Sequence, residues 1–234
     1  MTGYIFLAGE IENYEFIEEY NLADGVVICA DGGYVHALNL GITPKYIVGD
    51  MDSVDGEIPE NIEILSCDPV DKVLTDGQMA VRFANGCSCD KIIIFGALSP
   101  NGQPRNLRNA GSANPLDGLQ KEVYKNSSRF DHVLGNVYLL KDAKTLGLNA
   151  KIVESDCEII LIDKFVEIER KNYKYLSFLP FSETVKGLTL KGVKYPLNNV
   201  KITQKVYYTM SNEFASDVAA VSLKKGELLA IATK

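Results

Sequence analysis

The chain of 234 residues has no tryptophan, two histidines and five cysteines, and its 24 Lys and Arg are outnumbered by 31 Asp and Glu. Each shortage excludes something. The formal net charge of −7 argues against a general nucleic-acid binder, which needs a basic face, while leaving room for a local basic pocket. No apolar run is long enough to cross a bilayer, so no membrane partner is expected. Met1-Thr2-Gly3-Tyr4 has no basic leader and enters a strand-like run at once, unlike a signal peptide. Cys29, Cys67, Cys87, Cys89 and Cys157 are odd in number and scattered, unlike a disulfide framework. Cys87-Ser88-Cys89 lacks the second pair of a structural zinc site. The cytoplasm is the expected compartment. Without tryptophan, stacking on an aromatic ligand falls to another side chain. There is no internal repeat and no low-complexity tract.

What is present is an ordinary globular composition, 46% apolar and 24% charged. Strand-like runs stand at 4–8, 26–30, 46–48, 62–65, 91–95 and 150–153. Between them, helices are expected over 10–20, where Ile11, Tyr14 and Ile17 share a face, over 34–40, over 75–84 behind a Thr75 or Asp76 cap, and over 130–146. Such alternation specifies a mostly parallel, three-layer α/β domain with helices on both faces of the sheet. After Asp156 the pattern changes to short strands at 158–162, 166–169, 175–178, 188–190, 200–203, 219–223 and 228–232, separated by turn residues. That is the pattern of a small all-β sandwich or barrel. Two domains are expected, 1–155 and 156–234. The first carries an insertion at 99–128, rich in Asn, Gly and Pro and longer than usual α/β connections.

Candidate chemistry gathers at the strand ends. Asp31-Gly32-Gly33 follows one strand, and Gly49-Asp50-Met51-Asp52-Ser53 follows the next. Ligands of open α/β sheets bind outside the carboxyl ends of the strands, and carboxylates at i and i+2 suit a hard cation such as magnesium. Gly-Asp-x-Asp-Ser alone is equally a turn; the repetition at successive strand ends favours a site. Lys72 and Thr75-Asp76 stand at a helix start, and Arg129-Phe130-Asp131-His132 begins another helix with Asn136 one turn on. Free N–H groups at a helix start suit phosphate, Arg and Lys hold its oxygens, and carboxylates hold the metal. Together these residues indicate metal-assisted chemistry on a phosphorylated compound. His36 reads as a surface or partly buried helix residue, and His132 as a packing and hydrogen-bonding neighbour of Asp131 rather than an acid–base catalyst. Tyr207 and Tyr208 suit either stacking on a ligand or sheet packing.

In these motifs the chain resembles the thiamin pyrophosphokinase (thiamine diphosphokinase) family. The resemblance rests on Asp31-Gly32-Gly33, on Gly49 to Ser53 with Met51 where the family has Phe, on Thr75-Asp76, and on Arg129 to His132 with Asn136. In the second half it rests on Leu179-Pro180-Phe181-Ser182, on the run from Gly187 to Leu197, and on Ser211-Asn212-Glu213. It implies transfer of the terminal diphosphate of ATP to the hydroxyethyl oxygen of thiamine, giving thiamine diphosphate and AMP. By the same resemblance Asp50, Asp52 and Asp76 hold magnesium and, with Asp131, are the catalytic group. Asp31, Gly32, Gly33, Lys72, Thr75, Arg129, His132 and Asn136 bind ATP, its diphosphate or the nucleophile. Ser211 and Asn212 belong to the thiamine end, in a homodimer whose site is shared between the α/β domain of one subunit and the β domain of the other.

Two departures stand out. Val73 occupies a position that is often acidic in the family's Lys-Asp-x-Thr-Asp pattern, and the insertion at 99–128 replaces a short Gly-rich turn. With Arg105, Arg108, Lys121 and Lys125 against Asp117 and Glu122, the insertion suits either a solvated loop or a lid in which Arg105 or Arg108 meets ATP phosphates. Two rivals accompany the kinase reading: a magnesium-dependent phosphohydrolase, and a non-catalytic binding module for thiamine phosphates or nucleotides.

Overall fold

The structure, a computed structural model, describes residues 1–49, 58–65, 73–99 and 130–234. It divides into two compact units, Met1–Ser155 and Asp156–Lys234. The insertion, apart from Ser99, lies outside the described residues.

In the first unit six strands form one parallel ladder. They are β1 (Thr2–Phe6), β2 (Val26–Ala30), β3 (Tyr46–Val48), β4 (Glu63–Leu65), β5 (Lys91–Phe95) and β6 (Asn149–Val153), in the spatial order 6-5-1-2-3-4. The central strands are continuous apolar runs, Val26 to Ala30 being buried throughout, because a parallel sheet is covered on both faces. The order reverses beside β1: the chain steps outward through β2, β3 and β4, then returns to pair β5 on the other side of β1. That reversal is where such sheets open a binding crevice at their carboxyl ends.

One face of the sheet presents Tyr4, Phe6, Val27, Cys29, Ile47, Ile93 and Phe95 to a cluster containing Ile11, Ile17, Tyr34 and Ala37. Helix α1 (Tyr34–Leu40) lies on this side and stops at Gly41, whose φ is 71°. The helix expected over 10–20 is not there. The segment instead forms short 3-10 helices at Glu15–Glu19 and Leu22–Asp24. The reason is its period. Ile11, Tyr14, Ile17 and Tyr20 recur every third residue, which matches three residues per turn rather than 3.6. The Ile17 amide donates to the Tyr14 carbonyl and the Tyr20 amide to the Ile17 carbonyl, both at 2.9 Å. Phe16 and Tyr20 then pack edge-on against Phe95, with ring centroids 6.0 and 5.4 Å away.

Helices α2 (Asp76–Gly86) and α3 (Phe130–Thr145) cover the opposite face. A Cβ on Gly3 would stand 3.4 Å from the Ala84 methyl, and one on Gly77 would stand 3.1 Å from Leu139. Gln78 Nε2 donates to Asp142 Oδ2 at 2.8 Å and ties the two helices together.

The second unit is a sandwich of two antiparallel sheets. Its strands are β7 (Cys157–Ile162), β8 (Phe165–Glu169), β9 (Tyr175–Pro180), β10 (Thr184–Lys191), β11 (Leu197–Thr203), β12 (Asn212–Glu213), β13 (Val218–Ser222) and β14 (Leu228–Thr233). One sheet runs 12-9-14-7 and the other 11-10-13-8. The two-residue β12 is too short to leave a period in the sequence. Alternate residues point inward, so Leu176, Phe178, Leu228 and Ala230 of one sheet meet Val185, Leu188, Leu190 and Val221 of the other. Phe178 is fully buried. Phe178→Ala is expected to destabilise this unit by about 3–5 kcal/mol, read as a lower urea midpoint of tyrosine fluorescence; an unchanged midpoint would contradict this account of the core.

Candidate active site

Asp31 leaves β2 in a left-handed conformation, φ 46°, that a non-glycine residue adopts only where its surroundings impose it. Asp31–Gly33 forms a single 3-10 turn running straight into α1. A Cβ on residue 33 would collide with the Phe6 carbonyl oxygen, so only glycine lets this turn lie against the end of β1. Gly49, just past β3, has φ 148°, and its missing Cβ would lie 3.0 Å from the Cβ of Asp31. The chain therefore leaves β3 directly beside Asp31. One carboxylate oxygen of Asp31 is buried, as is one of Asp76. Asp50, Asp52, Lys72 and Arg129 lie outside the described residues. Among the described residues no group of three or more His, Cys, Asp and Glu side chains is placed to hold a metal.

Thr75 caps α2 through a reciprocal box: the Gln78 amide donates to Thr75 Oγ1 and the Thr75 amide to Gln78 Oε1, both at 3.2 Å. Asp76 is the first residue of that helix. A Cβ on Gly77 would also lie 3.5 Å from Leu7, which sets the first turn of α2 at the carboxyl end of β1. Val73 is 91% exposed, so the position where the family pattern has an acid is open to solvent here.

On α3, Asp131 and His132 are exposed in the first turn, with His132 Nε2 3.9 Å from Asp131 Oδ2. Asn136 turns inward. Its Nδ2 donates to the Ala97 carbonyl at 3.0 Å. The amides of Ala97 and Leu98 donate to Glu154 Oε1 at 2.7 and 3.1 Å. Glu154 does not stand out in the sequence; the one available signal is an acidic residue directly after a strand, as Asp31 is. Asp31, Gly49, the start of α2, Ala97 and Glu154 thus all stand at the carboxyl edge of one sheet.

His36 departs from the sequence expectation, being fully buried. Its Nε2 meets the Gly9 carbonyl and its Nδ1 the Tyr14 hydroxyl, each at 2.8 Å. A carbonyl can only accept, so Nε2 carries the proton, and in the neutral ring Nδ1 accepts from Tyr14. Asn39 Nδ2 donates to the same hydroxyl at 2.9 Å. The histidine therefore braces the loop leaving β1 from beneath.

In the second unit, Ser211 has φ 54°, and its amide donates to Ser177 Oγ at 2.8 Å. Asn212 is buried. Its Oδ1 accepts from the amides of Tyr195 and Glu213 at 3.0 and 2.9 Å, and its Nδ2 donates to the Tyr195 carbonyl at 2.9 Å. The side chain thus serves as a strut between two chain segments. Tyr207 is 46% and Tyr208 61% exposed, and Tyr195 and Met210 are also exposed. Sheet packing therefore does not account for this group.

Burial pushes the His36 pKa down to about 4, against a partial upward pull from the Gly9 and Leu7 carbonyls. In the unfolded chain it returns to about 6.5. Between those values the unfolded state binds the extra proton, so stability falls as pH drops from about 6.5 to about 4, by roughly 3 kcal/mol in total. Urea unfolding at pH 7, 6 and 5 is expected to show this loss. His36→Gln is expected to flatten the slope in that window; an identical slope in the variant would remove His36 as its source.

The geometry can be set beside known proteins. Residues 17–101 match the family model for the thiamin pyrophosphokinase catalytic domain, and residues 165–228 match the model for the thiamin pyrophosphokinase vitamin B1 binding domain. A thiamine pyrophosphokinase of Bacillus subtilis (strain 168) is 30% identical over 222 residues, covering 92% of this chain and 89% of that protein. A crystal structure of thiamine pyrophosphokinase from Bacillus subtilis superposes with TM-score 0.76 at 27% identity, covering 100% of this chain and 99% of the other. The structure of thiamin pyrophosphokinase from Candida albicans shares the fold at TM-score 0.67 and 15% identity, covering 100% of this chain and 89% of the other. With the α/β unit and the β-sandwich each matched in its own half, and a relative 30% identical over 92% of the chain, the chain belongs to the thiamin pyrophosphokinase family.

Proposed function

We infer that this protein transfers the terminal diphosphate of ATP to the hydroxyethyl oxygen of thiamine, giving thiamine diphosphate and AMP. The observation that carries the reading is the match of both halves to the two domains of one enzyme family. The turn at Asp31, packed against Gly49, supports it. In this reading the start of α2 offers its backbone N–H groups to phosphate oxygens. Thr75 accepts from the Gln78 amide, which leaves its hydroxyl proton as a donor to the same oxygens. Lys72 and Arg129 neutralise the polyphosphate, and Asp131, exposed on the first turn of α3, orients the attacking hydroxyl. An alcohol attacking phosphorus relies chiefly on positioning and charge.

The donors present fit magnesium: hard carboxylate oxygens, one oxygen of Asp76 being buried at a helix start. Asp50, Asp52 and Asp76 would hold the ion, and when bound it would offset charge on the phosphoryl oxygens. At the thiamine end, Ser211 contacts the substrate, while Asn212 holds Tyr195 beside it. Tyr207 and Tyr208 take the stacking role that the absence of tryptophan leaves open. We place the enzyme in the cytoplasm as a homodimer. In support of the homodimer, Tyr195, Tyr207, Tyr208 and Met210 are exposed, and exposed apolar side chains suit an interface.

The test is AMP formation from ATP that requires added thiamine, run with and without magnesium. Consumption of ATP without thiamine would indicate a hydrolase, and no consumption a binding module. Asp50→Asn, Asp52→Asn and Asp76→Asn are each expected to lose about 100-fold in kcat or more while folding normally; near-normal turnover of all three would refute the metal assignment. Ser211→Ala with Asn212→Ala is expected to raise KM for thiamine about tenfold, the worth of one lost hydrogen bond, with KM for ATP little changed. Sedimentation showing an active monomer at assay concentration would refute the homodimer.

A further inference from the structure

The parallel ladder ends at Phe6 opposite Phe95 on one side of β5, and at Ile94 opposite Ile152 on the other. Beyond it the Ala97 peptide is almost wholly buried, yet three backbone groups there are satisfied by side chains. Glu154 takes the Ala97 and Leu98 amides on one carboxylate oxygen, and Asn136 Nδ2 donates to the Ala97 carbonyl. Glu154 directly follows β6, and Asn136 belongs to α3. The clamp therefore joins the ends of two strands to the helix that carries Asp131 and His132. His132 lies four residues before Asn136, on the same helix face one turn earlier. Fixing Asn136 against Ala97 thus fixes the rotation of the first turn of α3.

We propose that Glu154 is a positioning residue for diphosphate transfer: through the Ala97–Leu98 backbone and Asn136 it sets the orientation of the first turn of α3. The inference rests on the proposed function and gives Asn136 a role in the frame, reached through Ala97 rather than through substrate. What the clamp requires of Glu154 is an acceptor oxygen at one place. Without it two amides, one of them on a buried residue, lose their acceptor and the exit of β5 relaxes. Displacements of this kind far from the chemistry lower turnover by up to about 100-fold while leaving ground-state binding largely intact.

Glu154→Ala, in the full-length enzyme, is expected to lower kcat by about 10- to 100-fold with KM for thiamine changed less than about threefold. Glu154→Gln keeps the acceptor and is expected to stay within about threefold of wild type. Asn136→Ala is expected to match Glu154→Ala, and the double variant to be no worse than the poorer single, because both break one unit. Amide hydrogen exchange supplies a readout independent of activity: Ala97 and Leu98 protected in wild type and Glu154→Gln, and exchanging faster in Glu154→Ala. Wild-type kcat in folded Glu154→Ala, or Glu154→Gln as impaired as Glu154→Ala, would overturn the proposal. If Glu154→Ala fails to fold, wild-type kcat in Asn136→Ala overturns it. A wild-type enzyme without thiamine-dependent AMP formation would sink the functional reading alone, since unchanged Ala97 and Leu98 exchange in Glu154→Ala would still decide the clamp.

Discussion

Parallel pairing is the constraint on which the first unit depends. Because every strand of the ladder runs the same way, every carboxyl end opens on one edge, and residues distant in sequence are delivered there together. Asp31 follows β2, Gly49 follows β3, Ala97 follows β5 and Glu154 follows β6. The same pairing leaves backbone N–H and C=O groups without ladder partners just past the last rung. The molecule completes them with side chains: Glu154 and Asn136 at Ala97, and His36 at Gly9. Close backbone approach at Gly33 and Gly49 draws the first two turns together. The edge is built as much by the absence of side chains at the glycines as by their presence elsewhere.

Much of this architecture was legible before any coordinates. The apolar runs of β2 and β5, alternating with helical segments, pointed to a mostly parallel sheet. The cap expected at Thr75 or Asp76 placed the start of α2 within a residue, and the structure completes it as a box with Gln78. The misreadings have physical causes. Ile11, Tyr14 and Ile17 fit a helical stripe when three positions are counted, but adding Tyr20 turns the spacing into a strict three, the period of the tighter helix. His36 read as a surface or partly buried residue because a seven-residue helix gives too short a pattern to tell its faces apart.

The candidate site was legible in its residue types and less so in the roles of its polar side chains. Asn136 and Asn212 were both read as groups that meet ligand. The structure gives each a backbone partner as well, Ala97 and Tyr195. An asparagine carries the same donor and acceptor as a peptide group and can replace a missing rung of hydrogen bonding, and sequence gives no way to distinguish that use from contact with substrate. Glu154 escaped notice for the related reason that its partners are amides, which every residue has.

The strand order carries a consequence for how the chain is made. Of the ladder's strands β1 is synthesised before the others, yet its partner on one side is Lys91–Phe95, and that strand's other neighbour is Asn149–Val153. During translation the left half of the ladder waits for most of the unit to emerge, with Ile5 and Phe6 lacking one of their two neighbours. Long-range parallel pairing of this kind folds slowly and leaves apolar edges open meanwhile. The β-sandwich unit, by contrast, can begin hairpin by hairpin, with β10 pairing β11 across a short turn. In the time order of synthesis, the half that comes first has the longer wait for its last strand.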